Sequence, residues 1–114
     1  MNLTVELIDG ITVVGLHGDH LDMGNVEAFH SAVTPVLETG ANVLFDMSPL
    51  QFVDSAGLGA LMACRRQLSQ AGGELTLCGM NRKVRSVFDI SRMHRLFSIV
   101  ESREEALRAR AGPK

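Results

Sequence analysis

Hydrophobic positions change their spacing several times along this chain, and each change marks an element. Leu3 to Ile8 and Ile11 to His17 are β-branched, partly alternating runs joined by Asp9-Gly10. That dipeptide suits a tight type I′ turn, so the chain is predicted to open with an antiparallel hairpin. Val26, Phe29, Val33, Val36 and Leu37 then recur at helical spacing up to Gly40, which can close the helix. Pro35 interrupts this pattern. A proline in a helix interior removes a hydrogen bond and costs about 3 kcal/mol, so a kink or early break is predicted near Thr34.

Val43-Leu44-Phe45-Asp46-Met47 is a short apolar run without helical period, the pattern of a central strand buried on both faces. From Ala56 a helix is predicted to run to Ala71. It places Leu58, Leu61, Met62 and Leu68 inward and Arg65, Arg66, Gln67 and Gln70 outward, and Gly72-Gly73 stops it. Glu74 to Cys78 reads as the next strand, Asn81 to Ile90 as a helix through Val84, Val87 and Phe88, and Leu96 to Val100 as a last short strand. Ser102 with Glu105 forms a capping box for a closing helix. The order predicts an α/β fold: one domain over 1–114, a mixed β-sheet opening with an antiparallel hairpin, helices packed against the sheet, and a frayed tail over 108–114.

Bulk properties narrow the function. A length of 114 residues with 46% hydrophobic content suffices for one core. No apolar run is long enough to cross a bilayer and the first residues do not read as a secretion signal, so a cytoplasmic protein without a membrane partner is expected. Net charge is −2, Trp and Tyr are absent, and the 11 Lys and Arg are scattered, which argues against a nucleic-acid surface. Arg82-Lys83-Val84-Arg85 reads as the wet face of a helix. Cys64 and Cys78 lack the spacing of a redox or metal motif and read as packing residues; no cofactor or metal is expected.

The candidate chemistry lies in Asp54-Ser55-Ala56-Gly57-Leu58-Gly59, where a loop meets the first turn of a helix. There a hydroxyl lies close to backbone N–H groups without a partner inside the helix. The amides of Ala56, Gly57 and Leu58 are expected to form an anion site that accepts a phosphate on Ser55, and Gly57 to leave room for a visitor at the backbone. On local chemistry alone, Asp54 or Ser55 reads as a helix cap contributing about 1 kcal/mol. No Lys-Ser or Lys-Thr completes a nucleotide P-loop.

The wider pattern resembles the anti-sigma factor antagonists of the STAS family over roughly Thr12 to Leu107. The matching parts are Gly18-Asp19 with Leu21-Asp22, the strand ending at Asp46, Phe52-Val53-Asp54-Ser55-Ala56-Gly57-Leu58-Gly59, Gly72-Gly73-Glu74-Leu75, and Val84 with Phe88-Asp89-Ile90-Ser91. The resemblance implies a non-enzymatic switch, monomeric when free. Unphosphorylated, it binds an anti-sigma factor that is itself a serine kinase and so releases a sigma factor; phosphorylation of Ser55 ends binding, and a PP2C-type phosphatase restores it. It also implies a partner-facing surface that includes Asp19, Asp22, Met23, Asp54, Ser55, Ala56, Gly57 and Leu58. Three features depart from the family pattern: the Gly18 to Asp22 loop is one residue longer, with His20 as the extra, Arg92 stands where relatives often have glycine, and Pro35 is unexpected.

Other classes leave weaker traces. A constitutive STAS adaptor, on a lipid-transport ATPase or a stress-signalling scaffold, would share the fold. Asp46 at a strand end resembles the phosphoacceptor of a response-regulator receiver, but the acidic pair after the first strand and the later lysine are missing. His17, His20, His30 and His94 are dispersed, and no helper for Ser55 as a nucleophile is evident. Asp19, Asp22, Asp46 and Asp54 could gather at one sheet edge as a weak magnesium site.

Overall fold

The computed structural model describes residues 1–111, with side chains described through residue 108. In chain order the elements are β1 (Asn2–Ile8), β2 (Ile11–His17), β3 (His20–Leu21), α1 (Val26–Leu37), β4 (Asn42–Asp46), β5 (Phe52–Val53), α2 (Ser55–Gln70), β6 (Leu75–Cys78), α3 (Arg82–Ile90), β7 (Ser98–Val100) and α4 (Arg103–Ala111). A short 3₁₀ turn, Met93–Arg95, leads into β7.

The hairpin forms as predicted, with Asn2 opposite His17 and Ile8 opposite Ile11. Asp9 and Gly10 both take positive φ, at 51° and 81°, which a type I′ turn requires. The main sheet runs β1-β2-β4-β6-β7, antiparallel only at its first pair. Strand alternation then sorts the core. Val14, Leu16, Val43, Phe45, Leu75 and Leu77 pack with Phe29 and Val33 of α1, Leu61 and Leu68 of α2, and Val84 and Phe88 of α3. Ile11, Val13, Leu44 and Cys78 join Ala106 of α4 in a second cluster. β4 is therefore buried on both sides, as its unbroken apolar run implies.

Two expectations are corrected. α1 does not break near Thr34 but continues to Leu37 through Pro35. Pro35 is exposed, and the bond its missing N–H removes is the one to the carbonyl of Ser31, also exposed to solvent; the Thr34 hydroxyl donates to the neighbouring His30 carbonyl. The last strand is shorter than Leu96 to Val100 because the 3₁₀ turn uses the residues before it. α4 runs over Arg103–Ala111, and 112–114 of the tail expected to fray lie outside the described residues.

The capping signals mostly hold. Ser102 Oγ accepts the Glu105 N–H at 3.1 Å, and the Glu105 carboxylate accepts the amide of Glu101 rather than that of Ser102. Asn81 caps α3 by accepting the Val84 N–H at 2.8 Å, and its side-chain amide ties that helix to the Leu50 carbonyl at 3.1 Å. Arg82 and Lys83 are exposed, while Arg85 pairs with Asp89 at 3.1 Å.

Arg92 follows α3 at φ 65°, a left-handed conformation in an exposed residue. For a residue with a Cβ this costs about 1–2 kcal/mol, part of which glycine gives back through its freer unfolded chain. Arg92→Gly is expected to stabilise the domain by about 0.5–1 kcal/mol, read as a thermal midpoint raised by about 2–6 °C. An unchanged or lowered midpoint in calorimetry would contradict the strain.

Candidate functional site

The loops after β2 and β4 leave the same edge of the sheet and are stitched together by β3 and β5, which pair in parallel as His20 opposite Phe52 and Leu21 opposite Val53. These two-residue strands were not foreseen. Their alternation buries Leu21 and Val53 and turns His20 and Phe52 outward.

Directly after β5, Asp54 takes an extended conformation and becomes the N-cap of α2. One carboxylate oxygen, Oδ1, accepts the Gly57 N–H at 2.8 Å; the other, Oδ2, accepts the Met23 N–H at 3.1 Å. One side chain thus starts the helix and pins the neighbouring loop. The hydrogen bond from Gly57 is the largest influence on the Asp54 carboxyl; burial pulls upward, but the Met23 and Ala56 amides add to the Gly57 effect and hold it below its ordinary value.

Gly57 is buried against the other loop. A Cβ there would stand 2.2 Å from the Leu21 carbonyl oxygen and 2.9 Å from a Val53 methyl. The glycine therefore serves the close approach of helix to strand, not the approach of a visitor, which corrects the sequence expectation. The anion site is corrected as well: Gly57 N–H already serves the Asp54 carboxylate, and Leu58 N–H serves the Asp54 carbonyl at 2.9 Å.

Ser55 is the first residue of α2 and is exposed, and its hydroxyl makes no hydrogen bond among the described residues. It is not the cap. On the segments that meet at Asp54, Met23 is 79% exposed and Phe52 53% exposed, the latter an aromatic that sequence reasoning passed over although its place before inward Val53 foretells it. Asp19 is exposed, and Asp22 and Ala56 are half-buried. Gly57 and Leu58, expected in the partner-facing surface, are buried, because helical period turns them toward the core; they shape that surface from beneath.

The rival chemistries do not assemble. Asp46 is held by Arg103 at 2.7 Å and by the Ser48 hydroxyl, and Arg103 also reaches Glu6 at 3.2 Å. Burial raises the Asp46 carboxyl, but the Ser48 and Arg103 hydrogen bonds outweigh it and leave it below the ordinary value. Among the described residues no three His, Cys, Asp or Glu are placed to hold a metal ion, so Asp19, Asp22, Asp46 and Asp54 do not form the magnesium site considered above. His17 meets Thr4 at 3.0 Å, His20 meets Asp19, and His94 meets the Phe88 carbonyl; none is bonded to Ser55. Burial pushes the Cys64 and Cys78 thiols up to about 12, as packing residues require. No helix among the described residues is long and apolar enough to cross a membrane.

A family model for the STAS domain matches residues 2–106. The chain belongs to the STAS domain family. Among proteins similar to this STAS domain is one named as the anti-sigma factor antagonist BtrV of Bordetella bronchiseptica, 34% identical over 110 residues, which span 96% of this chain and 94% of that protein. An anti-sigma factor antagonist from Mycobacterium paratuberculosis shares the fold at a TM-score of 0.83 and 25% identity, over 95% of this chain and 92% of that one. The anti-sigma factor antagonist SpoIIAA, solved in its unphosphorylated form, matches at a TM-score of 0.76 and 25% identity, over 99% of both chains.

Two outcomes follow from the geometry of this STAS loop. Gly57→Ala is expected to lose about 1–3 kcal/mol, because backbone rather than a flexible side chain blocks the new methyl. Ser55→Ala is expected to stay within about 0.5 kcal/mol of wild type, because the cap belongs to Asp54. Urea denaturation checks both; a large loss in Ser55→Ala would return the capping role to the serine.

Proposed function

We propose that this STAS domain is an anti-sigma factor antagonist that docks through the surface around Ser55 and is released by phosphorylation of that serine. The observation that carries the reading is an exposed, unbonded hydroxyl directly after Asp54, the residue that joins the segments exposing Met23 and Phe52. Relatives named as anti-sigma factor antagonists support it, as does the likeness to SpoIIAA, whose unphosphorylated form is named as such.

In this reading the partner is an anti-sigma factor with serine kinase activity, and docking on it frees a sigma factor. Met23 and Phe52 supply the apolar centre, with Asp19 and Asp22 at the rim and Ala56 beside the serine. A PP2C-type phosphatase returns the protein to its binding form.

Charge decides the switch. A phosphate brings about −1.5 to −2 charges, and the helix dipole returns only about 0.3–2 kcal/mol. Asp54 already occupies the Gly57 amide, so little local gain remains and the fold is left nearly unchanged. Inside an interface the same dianion must be desolvated next to carboxylates, a cost of several kcal/mol. Each 1.4 kcal/mol or so is tenfold in affinity, so binding falls by orders of magnitude.

The test is incubation with ATP and a candidate anti-sigma factor kinase from the same genome, with the phosphate mapped by mass spectrometry. A single phosphate on Ser55 is expected. Ser55→Ala should bind the kinase as wild type does and take no phosphate, and Ser55→Asp should bind at least about tenfold more weakly. Equal affinity of Ser55→Asp and wild type in calorimetry would defeat the mechanism.

A further inference from the structure

The loop that presents Met23 contains a histidine that the proposed function does not use. His20 lies on β3 between two carboxylates, its Nδ1 2.8 Å from Asp19 Oδ1 and its Nε2 3.9 Å from Asp22 Oδ1. Asp22 is itself tied into the loop: the same Oδ1 accepts the Gly24 N–H at 2.9 Å, and the Asp22 amide donates to Asn25 Oδ1 at 2.9 Å. Asn25 returns to the start of the segment by donating to the His20 carbonyl at 2.9 Å. Met23, in the middle, donates its amide to Asp54.

We propose that His20 is a positioning residue, a proton-operated latch that holds Asp19 and Asp22 together and so sets the pose of Met23 and Gly24. The reason lies in the ring. An imidazolium hydrogen-bonds Asp19 through Nδ1 and attracts Asp22 across 3.9 Å as an ion pair, whereas a neutral imidazole has one donor and one lone pair. With the remaining proton kept on Nδ1 for Asp19, Nε2 turns its lone pair toward the Asp22 carboxylate. Attraction then becomes repulsion, and the oxygen that anchors Gly24 is driven away.

The charged groups that face His20 are few. Asp19 and Asp22 on its own loop favour the protonated form, led by the Asp19 hydrogen bond; exposure to less water and the Met1 amino group oppose it. The paired strand β5, Phe52–Val53, adds no charge, and Gln51 touches the cluster only by donating its amide to the Asp19 carbonyl at 2.7 Å. The balance raises the His20 ring above its ordinary value and lowers Asp19 below its own. A raised value in the folded state means that the latch is fully closed below the unfolded-state value near 6.5 and is lost as pH rises through the folded value. The Met23 face is thus best ordered below about pH 6.5 and loosens as pH rises through the folded-state value.

Only the naming of that face as a docking surface rests on the function proposed above; the latch is tested on the isolated chain. A ring titration by NMR is expected to place His20 above an ordinary histidine, and Asp19→Asn should bring it down. The Met23 and Gly24 amide shifts should titrate with the ring in wild type and lie flat in His20→Gln. Hydrogen exchange at those amides, corrected for its intrinsic pH dependence, should lose about two- to five-fold in protection between about pH 5.5 and pH 8.5, but not in His20→Gln. An ordinary His20 titration with flat Met23 and Gly24 amides would overturn the latch, as would an unchanged pH profile in His20→Gln. A confirmed titration beside a Ser55→Asp variant that binds normally would leave the latch standing and remove the docking role.

Discussion

The carboxylate of Asp54 is the bond on which the site depends. One oxygen satisfies a helix-start amide that would otherwise have no intrahelical partner, and the other crosses to Met23, thirty-one residues earlier in the chain. Neither half would suffice alone: without Gly57 the helix could not approach Leu21, and without the pairing of β3 with β5 the Met23 amide would not be presented. The outcome is a serine that contributes nothing to folding at a position where the backbone is rigid. In the function proposed above, that separation lets a covalent charge act on a partner while the scaffold stays as it was.

The scaffold is arranged to the same end. Parallel strands put the loops after β2 and β4 at one edge, and both faces of β4 are buried, so the segment leading to Ser55 is anchored in the best-packed part of the sheet. Asp46 at the end of that strand is held by Arg103 from α4 and by Ser48, which ties the start of the loop to the far side of the sheet. The apolar groups left at the surface there, Met23 and Phe52, are the ones a partner would cover in the function proposed above; single exposed side chains of this kind are otherwise ordinary.

Much of this could be read from residues alone. Asp9-Gly10 marks its hairpin because few dipeptides accept two positive φ angles, and Val43 to Phe45 marks a central strand because no polar residue interrupts it. Less legible was anything set by pairs of short segments. β3 and β5 are two residues each and have no period to detect, so the clamp from Asp54 to Met23 and the outward turn of Phe52 stayed hidden. Asp54 and Ser55 are both good capping residues; only geometry distinguishes them, since a carboxylate can serve two amides at once. Pro35 misled because its penalty falls on the carbonyl of Ser31 in the turn before it, and that residue is exposed to solvent.

Separation of switch from scaffold is tested most directly by comparing amide NMR spectra of the chain before and after phosphorylation of Ser55. Shifts are expected only over residues 19–25 and 52–58, with the Met23 and Gly57 amides still bonded to Asp54 and the strand amides of β2, β4 and β6 unmoved. Displaced strand amides, or loss of both bonds to Asp54, would mean that the phosphate acts by remodelling the fold, and would contradict a mechanism based on charge at a docking surface.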